Sequence, residues 1–374
     1  MAHSCLKKNI APNNHDNDYL LSEEHRKKKR KNLCRKTLIW STISFFILIS
    51  LAFIIIWILI PISFMLSLPF QTFMVFIPIA SPRHANFNQP ENFGLEGVHN
   101  FYISTRDYYD YNTSTTIGAW LILPENFETK SNNVSEILQN TQHDIAIYLH
   151  GVFANRAKAI KQYGVLRKHF LIVAIDHRGY GDSGQNVRMS EAGIVHDHLQ
   201  IFDWVKSLNS KSDVYYWGHS LGTGLTSHTV KMLKNQKNIT PKGMILEASF
   251  TAYQDVIINN PLGKIFTWLS YFNATIINPL DNNGFHFKSI KNIISIDCPI
   301  MILHAEDDSV VPYFLGERLA KTAQKNRKND QGVVRFHGFS ADYGFGHNDI
   351  LMYSEIGGFI EDFKGDCRNF TSVS

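Results

Sequence analysis

The sequence is poor in cysteine, with four in 374 residues, and none of the four has the spacing of a metal site. Cys298 and Cys367 could pair in an oxidising compartment. Cys298, however, opens an apolar run, which is more typical of a small core residue than of a disulfide partner. The cysteines therefore give no indication of a metal centre.

The chain has no excess of positive charge outside its first 36 residues. Ten Lys and Arg against four Asp and Glu give +6 for that segment, and the whole chain carries +4, so the remainder is 4 − 6 = −2. Eight of the ten cationic side chains lie in residues 25–36, and the body has no comparable basic stripe. Nucleic acid is therefore not expected as a partner, and residues 1–36 are predicted to be a basic tail.

Charge is absent altogether from residues 38–60, a run of 23 residues. A bilayer span needs about 20 residues, whereas the apolar part of a cleavable signal peptide has about 7 to 15. The sequence therefore predicts an uncleaved transmembrane anchor over residues 37–60. Because basic residues flank a span on its cytoplasmic side, the tail is expected in the cytosol and the rest of the chain on the lumenal side.

The uncharged region continues to residue 80, interrupted by Pro61, Pro69 and Pro78. A second span would return the body to the cytosol. Proline interrupts helical hydrogen bonding, so residues 61–93 are predicted to be a hydrophobic interfacial or partly buried segment and linker after a single span. Five N-glycosylation patterns beyond the anchor fit a lumenal or extracellular body: Asn112, Asn133, Asn238, Asn273 and Asn369.

From about Gly94 the chain alternates apolar, β-branched runs with helical patterns. Strands are predicted at 117–123, 145–149, 170–175, 214–217, 243–247, 299–304 and 333–339. Helices are predicted at 157–168, 191–208, 221–233, 314–323 and 349–363. Strands that are apolar throughout and followed by helices indicate a mostly parallel sheet covered on both faces. This α/β domain is predicted over residues 94–366, followed by a C-terminal tail of residues 367–374.

About fifty residues separate Glu247 from Cys298, which is longer than an ordinary connection. Long insertions in compact α/β domains are usually lids or binding loops. The sequence therefore predicts an inserted lid at about residues 251–292. Large apolar side chains that could form a lid core or an acyl-chain surface lie close together in it: Phe266, Trp268, Leu269, Tyr271 and Phe272.

Ser220 stands between Gly218 and Gly222 in "YYWGHSLGTG", directly after a predicted strand and before a predicted helix. The pattern alone is weak, since an ordinary serine in a glycine turn would match it. Strand, sharp turn and helix together form a nucleophile elbow, in which the two glycines are needed because neighbouring main chain lies too close for a Cβ. The sequence therefore predicts that Ser220 is a nucleophile.

A serine nucleophile needs a base to take its proton and an acid to hold that base, and in α/β folds the chain order is serine, acid, histidine. Asp307 and Asp308 follow the strand predicted at 299–304, at the edge where open α/β sheets keep their sites. Beyond them lie two histidines. His337 falls within a predicted strand, whereas His347 lies on a glycine-containing loop before the last helix. His347 is therefore the predicted base.

The oxyanion of a tetrahedral intermediate needs fixed hydrogen-bond donors. One predicted donor is the backbone amide of Leu221, which follows the nucleophile. The second should come from the loop after the strand at 145–149, where the amide of Val152 is the candidate and that of Phe153 its rival.

The motifs "GHSLGTG", "DHRGYGDSG", "LHG" and "LHAEDDSVVP" together resemble the α/β-hydrolase superfamily and, more narrowly, its membrane-anchored lysophosphatidylserine and monoacylglycerol lipases. The resemblance implies that Asp308, four residues before Pro312, is the acid of the triad and Asp307 its neighbour. It also implies a single-pass glycoprotein of the endoplasmic reticulum with a lumenal catalytic body. The chain has Val152 and Phe153 where such lipases usually carry Asn and a further Gly, a departure that concerns the oxyanion loop.

The leading hypothesis is a membrane-anchored serine lipase that hydrolyses the acyl ester of lysophospholipids or monoacylglycerols without a cofactor. One alternative is a protein-depalmitoylating thioesterase, which a cytosolic body would favour. The other is a hydrolase-fold binding protein without catalysis, against which the intact serine, acid and histidine argue.

Overall fold

The computed structural model describes residues 14–79 and 81–371, with side chains from residue 22 onward. Contacts divide the chain into two units, Met1–Ile62 and Ser63–Ser374. The helix α1 passes through a π-helical turn into α2, and within the described residues one continuous helix, Ser22–Leu66, is long and apolar enough to cross a membrane. An 18-residue window of this helix has a mean hydropathy of 3.1, and none of it is buried. This single N-terminal helix supports a single-pass membrane anchor.

Thirteen α-helices lie within the described ranges. They are α1 (Asn14–Ile54), α2 (Ile60–Leu66), α3 (Leu68–Phe76), α4 (Val134–Asn140), α5 (Ile160–Leu166), α6 (Glu191–Leu208), α7 (Leu221–Lys237), α8 (Tyr253–Asn259), α9 (Pro261–Lys264), α10 (Asn278–Asn282), α11 (Ser289–Asn292), α12 (Tyr313–Asn326) and α13 (Ile356–Asn369).

The body is built on an eight-stranded sheet. Its strands are β1 (Val98–Arg106), β2 (Ser114–Ile122), β3 (Ile145–Leu149), β4 (Leu171–Ile175), β5 (Val214–His219), β6 (Gly243–Glu247), β7 (Ile300–Ala305) and β8 (Val334–Phe339). The spatial order is β1-β2-β4-β3-β5-β6-β7-β8, in which β2 pairs antiparallel with β1 and β4 and the other pairs are parallel. The mostly parallel sheet with helices, predicted from apolar strand–helix alternation, is confirmed.

Both faces of the sheet are buried, and alternate side chains of one strand enter opposite core clusters. Ile147 of β3 belongs to one cluster and its neighbour Tyr148 to the other. Cys298 packs in the first cluster and Cys367 in the second, so the two thiols lie on different faces of the sheet. Both cysteines are free and fully buried.

A third apolar cluster lies at the carboxyl ends of the parallel strands. It joins α3, through Val75 and Phe76, to Leu221 at the start of α7 and to the inserted segment through Phe285 and Phe287. Pro69 lies in the first turn of α3, where a missing N–H costs nothing, and Pro78 follows its end. The segment after the anchor therefore folds as a helix of the body that is buried along one face.

Several element limits differ from those predicted. The strand β1 was not predicted, because its sequence alternates polar and apolar residues at an edge of the sheet. The helix expected at 349–363 divides into a 3₁₀ turn, Ile350–Met352, and α13, which ends at Asn369. The last helix therefore extends three residues into the stretch predicted to be a tail, whose final residues, 372–374, lie outside the described ranges.

Candidate active site

Ser220 occupies the sharp turn between β5 and α7. Its backbone has φ 53° and ψ −121°, and its N–H donates to the carbonyl oxygen of Glu247 at 3.0 Å. A Cβ at Gly218 would lie 2.6 Å from the carbonyl oxygen of Gly222, and a Cβ at Gly222 would collide with that of Leu149. Both positions therefore require glycine, and the turn has the backbone of a nucleophile elbow.

The structure brings together the three side chains predicted from the order serine, acid, histidine. The Oγ atom of Ser220 lies 2.9 Å from Nε2 of His347. On the other side of the ring, Nδ1 of His347 lies 2.7 Å from Oδ2 of Asp308. With Nδ1–H donating to the carboxylate, Nε2 is free to accept the serine proton, so the arrangement can activate the hydroxyl as a nucleophile.

Asp308 is held as a carboxylate by several donors. The amides of Val310 and Val311 each donate to Oδ1 at 2.8 Å, and Nε2 of His304 lies 3.3 Å from Oδ2. Burial alone would raise the pKa of Asp308, but the hydrogen bonds from His304, His347 and the amides outweigh it and hold the pKa well below its ordinary value. The acid therefore stays ionised beside the base.

Asp307 has a different contact. Its Oδ2 accepts a hydrogen bond of 2.9 Å from the amide of Gly346, the residue before His347. The neighbouring acid thus fixes the loop of the base, whereas Asp308 contacts the imidazole itself. His337 lies in β8 and stacks on Phe359 with ring centroids 4.2 Å apart, away from this arrangement.

His219 is a site residue that sequence reasoning missed. Its Nε2 donates to the carbonyl oxygen of His347 at 2.9 Å, and the two rings lie 5.0 Å apart. Burial lowers the pKa of His219 and raises the pKa of Glu247, which accepts a hydrogen bond from Trp217 on the same floor of the site. The position directly before the nucleophile was the signal that could have identified this second contact to the base.

The amides predicted to hold an oxyanion lie on two adjoining segments. Neither the N–H of Leu221 nor that of Val152 donates to a protein acceptor among the residues that the structure describes. The two segments touch, since a Cβ at Gly151 would lie 2.9 Å from Cβ of Ser220. Phe153, the rival donor, has φ 53° and an exposed side chain. The two amides belong to segments that meet at the nucleophile, and their use as oxyanion donors stays a prediction.

Three buried histidines lie behind the oxyanion loop and form one chain of hydrogen bonds. Nδ1 of His150 donates to the carbonyl of Gly151 at 2.7 Å, and Nε2 of His177 donates to the carbonyl of His150 at 3.0 Å. The remaining nitrogen of His177 lies 3.1 Å from Nε2 of His198, whose Nδ1 lies 3.2 Å from Oγ1 of Thr229. With all three rings neutral, each contact has one donor and one acceptor.

Burial sets the protonation of this chain. It lowers the pKa of His150 to about 4 and those of His177 and His198 well below the ordinary value, although Asp176 lies 3.7 Å from His150. The three rings are therefore neutral at physiological pH.

The loop after β4 is held by charged and phenolic side chains. Nε of Arg178 donates to Asp197 at 2.7 Å, and the same guanidinium contacts Asp107. The hydroxyl of Tyr180 donates to the carbonyl of Phe76 in α3. These buried groups fix the loop that carries "DHRGYGDSG" against α6 and α3.

The inserted segment is tied to the body by one buried carboxylate. Glu191, at the start of α6, accepts the amides of His286 and Phe287 at 2.7 and 2.8 Å, and Nδ1 of His228 at 2.6 Å. Phe287 then packs in the third apolar cluster together with Leu221. The lid is therefore anchored directly beside the nucleophile.

The fold and the elbow agree with known proteins. Residues 147–240 match a family model described as the alpha/beta hydrolase fold. An alpha-beta hydrolase from Vibrio vulnificus is similar in structure, with a TM-score of 0.55 and 14% identity over 79% of this chain and 92% of its own. An esterase from Pyrococcus furiosus has a TM-score of 0.53 and 16% identity over 78% of this chain and 97% of its own. The class is therefore the α/β-hydrolase fold.

Sequence relatives narrow the class to one family. The chain is 32% identical to the lysophosphatidylserine lipase ABHD12 of Rattus norvegicus over 291 residues, which cover 76% of this chain and 71% of that protein. It is 31% identical to the Xenopus tropicalis protein of the same name, and 31% identical to the human protein ABHD12B over 60% of this chain. The chain belongs to the ABHD12 family.

Proposed function

We propose that the chain is a membrane-anchored serine lipase that hydrolyses the acyl ester of lysophospholipids, lysophosphatidylserine among them, or of monoacylglycerols. The observation that carries the proposal is the continuous hydrogen-bonded series Ser220, His347 and Asp308 at the carboxyl ends of the sheet. The names of the ABHD12 relatives support the substrate class. The N-terminal apolar helix supports an enzyme that works at a membrane.

In the first half-reaction His347 takes the proton of Ser220 as Oγ attacks the carbonyl carbon of the ester. The amides of Leu221 and Val152 stabilise the negative charge that develops on the carbonyl oxygen. Asp308 orients the imidazole and stabilises its charged form. Collapse of the intermediate breaks the ester bond, and His347 gives its proton to the departing glycerol oxygen.

In the second half-reaction water replaces the alcohol. His347 removes a proton from the water, which attacks the acyl-enzyme, and then returns the proton to Oγ of Ser220 as the free fatty acid leaves. Every proton that is removed in the two half-reactions is returned by His347, and its source is Ser220 or water. The acyl chain would lie against the apolar cluster that contains Leu221 and Phe287.

For topology, we propose a cytosolic tail and a lumenal body, with the endoplasmic reticulum as the compartment. Support comes from the basic residues before the span and from five acceptor asparagines, all exposed. Endoglycosidase treatment of microsomes that contain the full chain should increase its mobility on a gel. Unchanged mobility, combined with protease access to the body in sealed microsomes, would contradict the lumenal orientation.

The catalytic proposal is tested by labelling with a fluorophosphonate and by hydrolysis assays on the same membranes. Wild type should label and should release fatty acid from lysophosphatidylserine or monoacylglycerol, and Ser220→Ala should do neither because the attacking oxygen is gone. The loss should be on the order of 10⁴-fold or more.

Ser207→Ala is the matched control, since Ser207 is an exposed serine of α6 whose hydroxyl donates to the carbonyl of Trp204 in the same helix. It should behave as wild type. A wild-type chain that does not label while a control lipase does would sink the proposal and favour a binding protein without catalysis. Hydrolysis of a thioester-linked acyl chain with none of glycerol esters would favour the thioesterase.

A further inference from the structure

The helix α3 is apolar on two opposite sides. Val75 and Phe76 face the third apolar cluster and are buried, whereas Phe73 and Met74 are 46% and 38% exposed. An amphipathic helix of a soluble domain would carry polar side chains on its outer side. A helix that is apolar all round is stable where its outer side is also removed from water.

The orientation of α3 is fixed, so its outer side cannot turn inward. Nε2 of the buried Gln71 donates to the carbonyl of Phe64 at 2.8 Å, and its Oε1 accepts from Nδ2 of Asn283 at 2.7 Å. The hydroxyl of Tyr180 donates to the carbonyl of Phe76. These polar contacts tie both ends of α3 to the body.

The first two helices of the lid extend the same apolar surface. Tyr253 of α8 lies 3.3 Å through its hydroxyl from the carbonyl of Met74, so α8 lies beside α3. Val256 and Ile257 of α8 pack against the third cluster on the inside, while Ile258 and, in α9, Leu262 are exposed on the outside. Leu262 is 73% exposed. The four exposed side chains form what we call the docking surface: Phe73, Met74, Ile258 and Leu262.

The position of this surface along the chain identifies what covers it. The helix that is long and apolar enough to cross a membrane, Ser22–Leu66, ends two residues before α3 begins. No charged residue occurs between Lys36 and Arg83. Because α3 follows the end of this helix after Ser67 alone, its exposed apolar side chains lie close along the chain to the anchor, and entering lipid would stabilise them.

We propose that the docking surface inserts into the lipid leaflet that faces the body and seats the entrance of the active site on the membrane. The inner sides of the same helices pack in the cluster that contains Leu221, next to the nucleophile. In this proposal a lipid acyl chain enters from the leaflet between α3 and α8 and reaches Ser220 without crossing water. The delivery of substrate depends on the proposed lipase function, whereas the insertion itself does not.

The insertion is tested by the depth of fluorescent probes on the full chain in proteoliposomes. Phe73→Cys and Leu262→Cys, made after Cys5 and Cys34 are replaced by serine, carry an environment-sensitive nitrobenzoxadiazole group. The vesicles contain phosphatidylcholine brominated on its acyl chains. Bromine should quench both probes, and their emission should shift to shorter wavelength.

Ile239→Cys is the matched control, because Ile239 is an exposed apolar residue that precedes β6, at the end of the parallel strands opposite Ser220. Its probe should remain unquenched. Probes at Phe73 and Leu262 that are quenched no more than the control would overturn the proposal. A blue shift without quenching by bromine would also overturn it, since a protein partner or a second copy would then cover the surface.

Delivery of substrate is tested by kinetics. The double variant Phe73→Ser and Leu262→Ser should raise KM for a vesicle-borne substrate by roughly tenfold for each large apolar side chain removed from lipid. Its kcat/KM for a soluble short-chain ester should equal that of the wild type. An equal fall for both substrates would overturn the role in delivery, because the side chains would then act on the site itself.

The two failures are distinguishable. If Ser220→Ala keeps full activity, the lipase proposal fails while the depth measurement still decides the insertion.

Discussion

The two sides of Ser220 are built in different ways. On one side the base and acid are held by hydrogen bonds of 2.7 to 2.9 Å among His347, Asp308 and His219. On the other side α3 and the lid pack through apolar side chains around Leu221, and Glu191 accepts two backbone amides of the lid.

Each construction suits its task. Proton transfer requires donor and acceptor atoms within hydrogen-bond reach, and only directional polar contacts fix positions to that degree. An acyl chain needs apolar area without a fixed geometry, and apolar packing of about the right volume tolerates substitution. Changes on the polar side should therefore mainly affect the rate of the chemical step, and changes on the apolar side mainly the binding of lipid.

The largest expected effect is on the acid. Asp308→Asn keeps the shape but removes the carboxylate that holds the Nδ1–H tautomer of His347, so kcat should fall by about 10³- to 10⁴-fold with little change in KM. Single-turnover hydrolysis of a soluble ester checks it. The matched control, Asp307→Asn, keeps an oxygen that can accept the amide of Gly346 and loses only the charge, so it should lower kcat by no more than about tenfold. An equal decrease of kcat in the two variants would contradict the different roles assigned to Asp308 and Asp307.

A smaller effect is expected where the oxyanion loop meets the elbow. The new methyl of Gly151→Ala would approach Cβ of Ser220 to 2.9 Å and must displace the nucleophile or the loop. A displacement of about 1 Å can cost about 10²-fold in rate, so kcat should fall by that order. Gly358→Ala is the control, since nothing lies within 4 Å of its added methyl in α13. A wild-type rate in Gly151→Ala would show that the polar side tolerates movement.

The smallest effect concerns pH, to which the histidines behind the oxyanion loop should respond and the apolar side should not. Because burial lowers the pKa of His150 to about 4, the folded state binds a proton less readily than the unfolded chain. Neutral His150 therefore makes its full contribution to the free energy of unfolding above about pH 6.5. That contribution decreases as the pH falls toward 4, and the loss is about 2 kcal/mol at pH 5. The temperature at the midpoint of thermal inactivation should therefore be lower at pH 5 than at pH 7.5.

His198→Gln separates this cause from general acid sensitivity. The amide can donate to His177 and accept from Thr229, as the neutral imidazole does, but it does not titrate. The variant should lose less stability on acidification than wild type, whereas replacement of the exposed His143 by Gln should leave the slope unchanged. A slope in His198→Gln equal to that of wild type would contradict a contribution of His198, whose pKa burial also lowers.

Much of the fold could be predicted because apolar strands and capped helices have local signatures. The limits of β3, β6 and α6 are those expected, and Ser190 caps α6 through the amide of Gly193. The order of serine, acid and histidine reduced the base to two residues, and the structure places His347 at the nucleophile. Local sequence therefore predicted seven of the eight strands, together with Ser220, Asp308 and His347.

Contacts between distant segments could not be predicted. That α3 packs against the lid depends on Gln71 reaching Asn283, more than two hundred residues away, and no local pattern encodes that pairing. The same holds for His219, whose partner is a backbone carbonyl, and for Glu191, whose partners are backbone amides of the lid. Backbone groups are present at every residue, so the sequence does not indicate which of them a buried side chain will find.

The strained backbone at the nucleophile elbow bears on how the catalytic serine can be lost in evolution. Ser220 has φ 53°, in the left-handed region that glycine enters without strain, and Phe153 and Ala248 at the same edge share it. A change of Ser220 to glycine would remove the reactive oxygen and relieve roughly 1 kcal/mol of strain in one step. Replacement of Ser220 by glycine would thus abolish catalysis and at the same time reduce backbone strain in the folded state. The serine is therefore retained in a lineage only while selection acts on catalytic turnover.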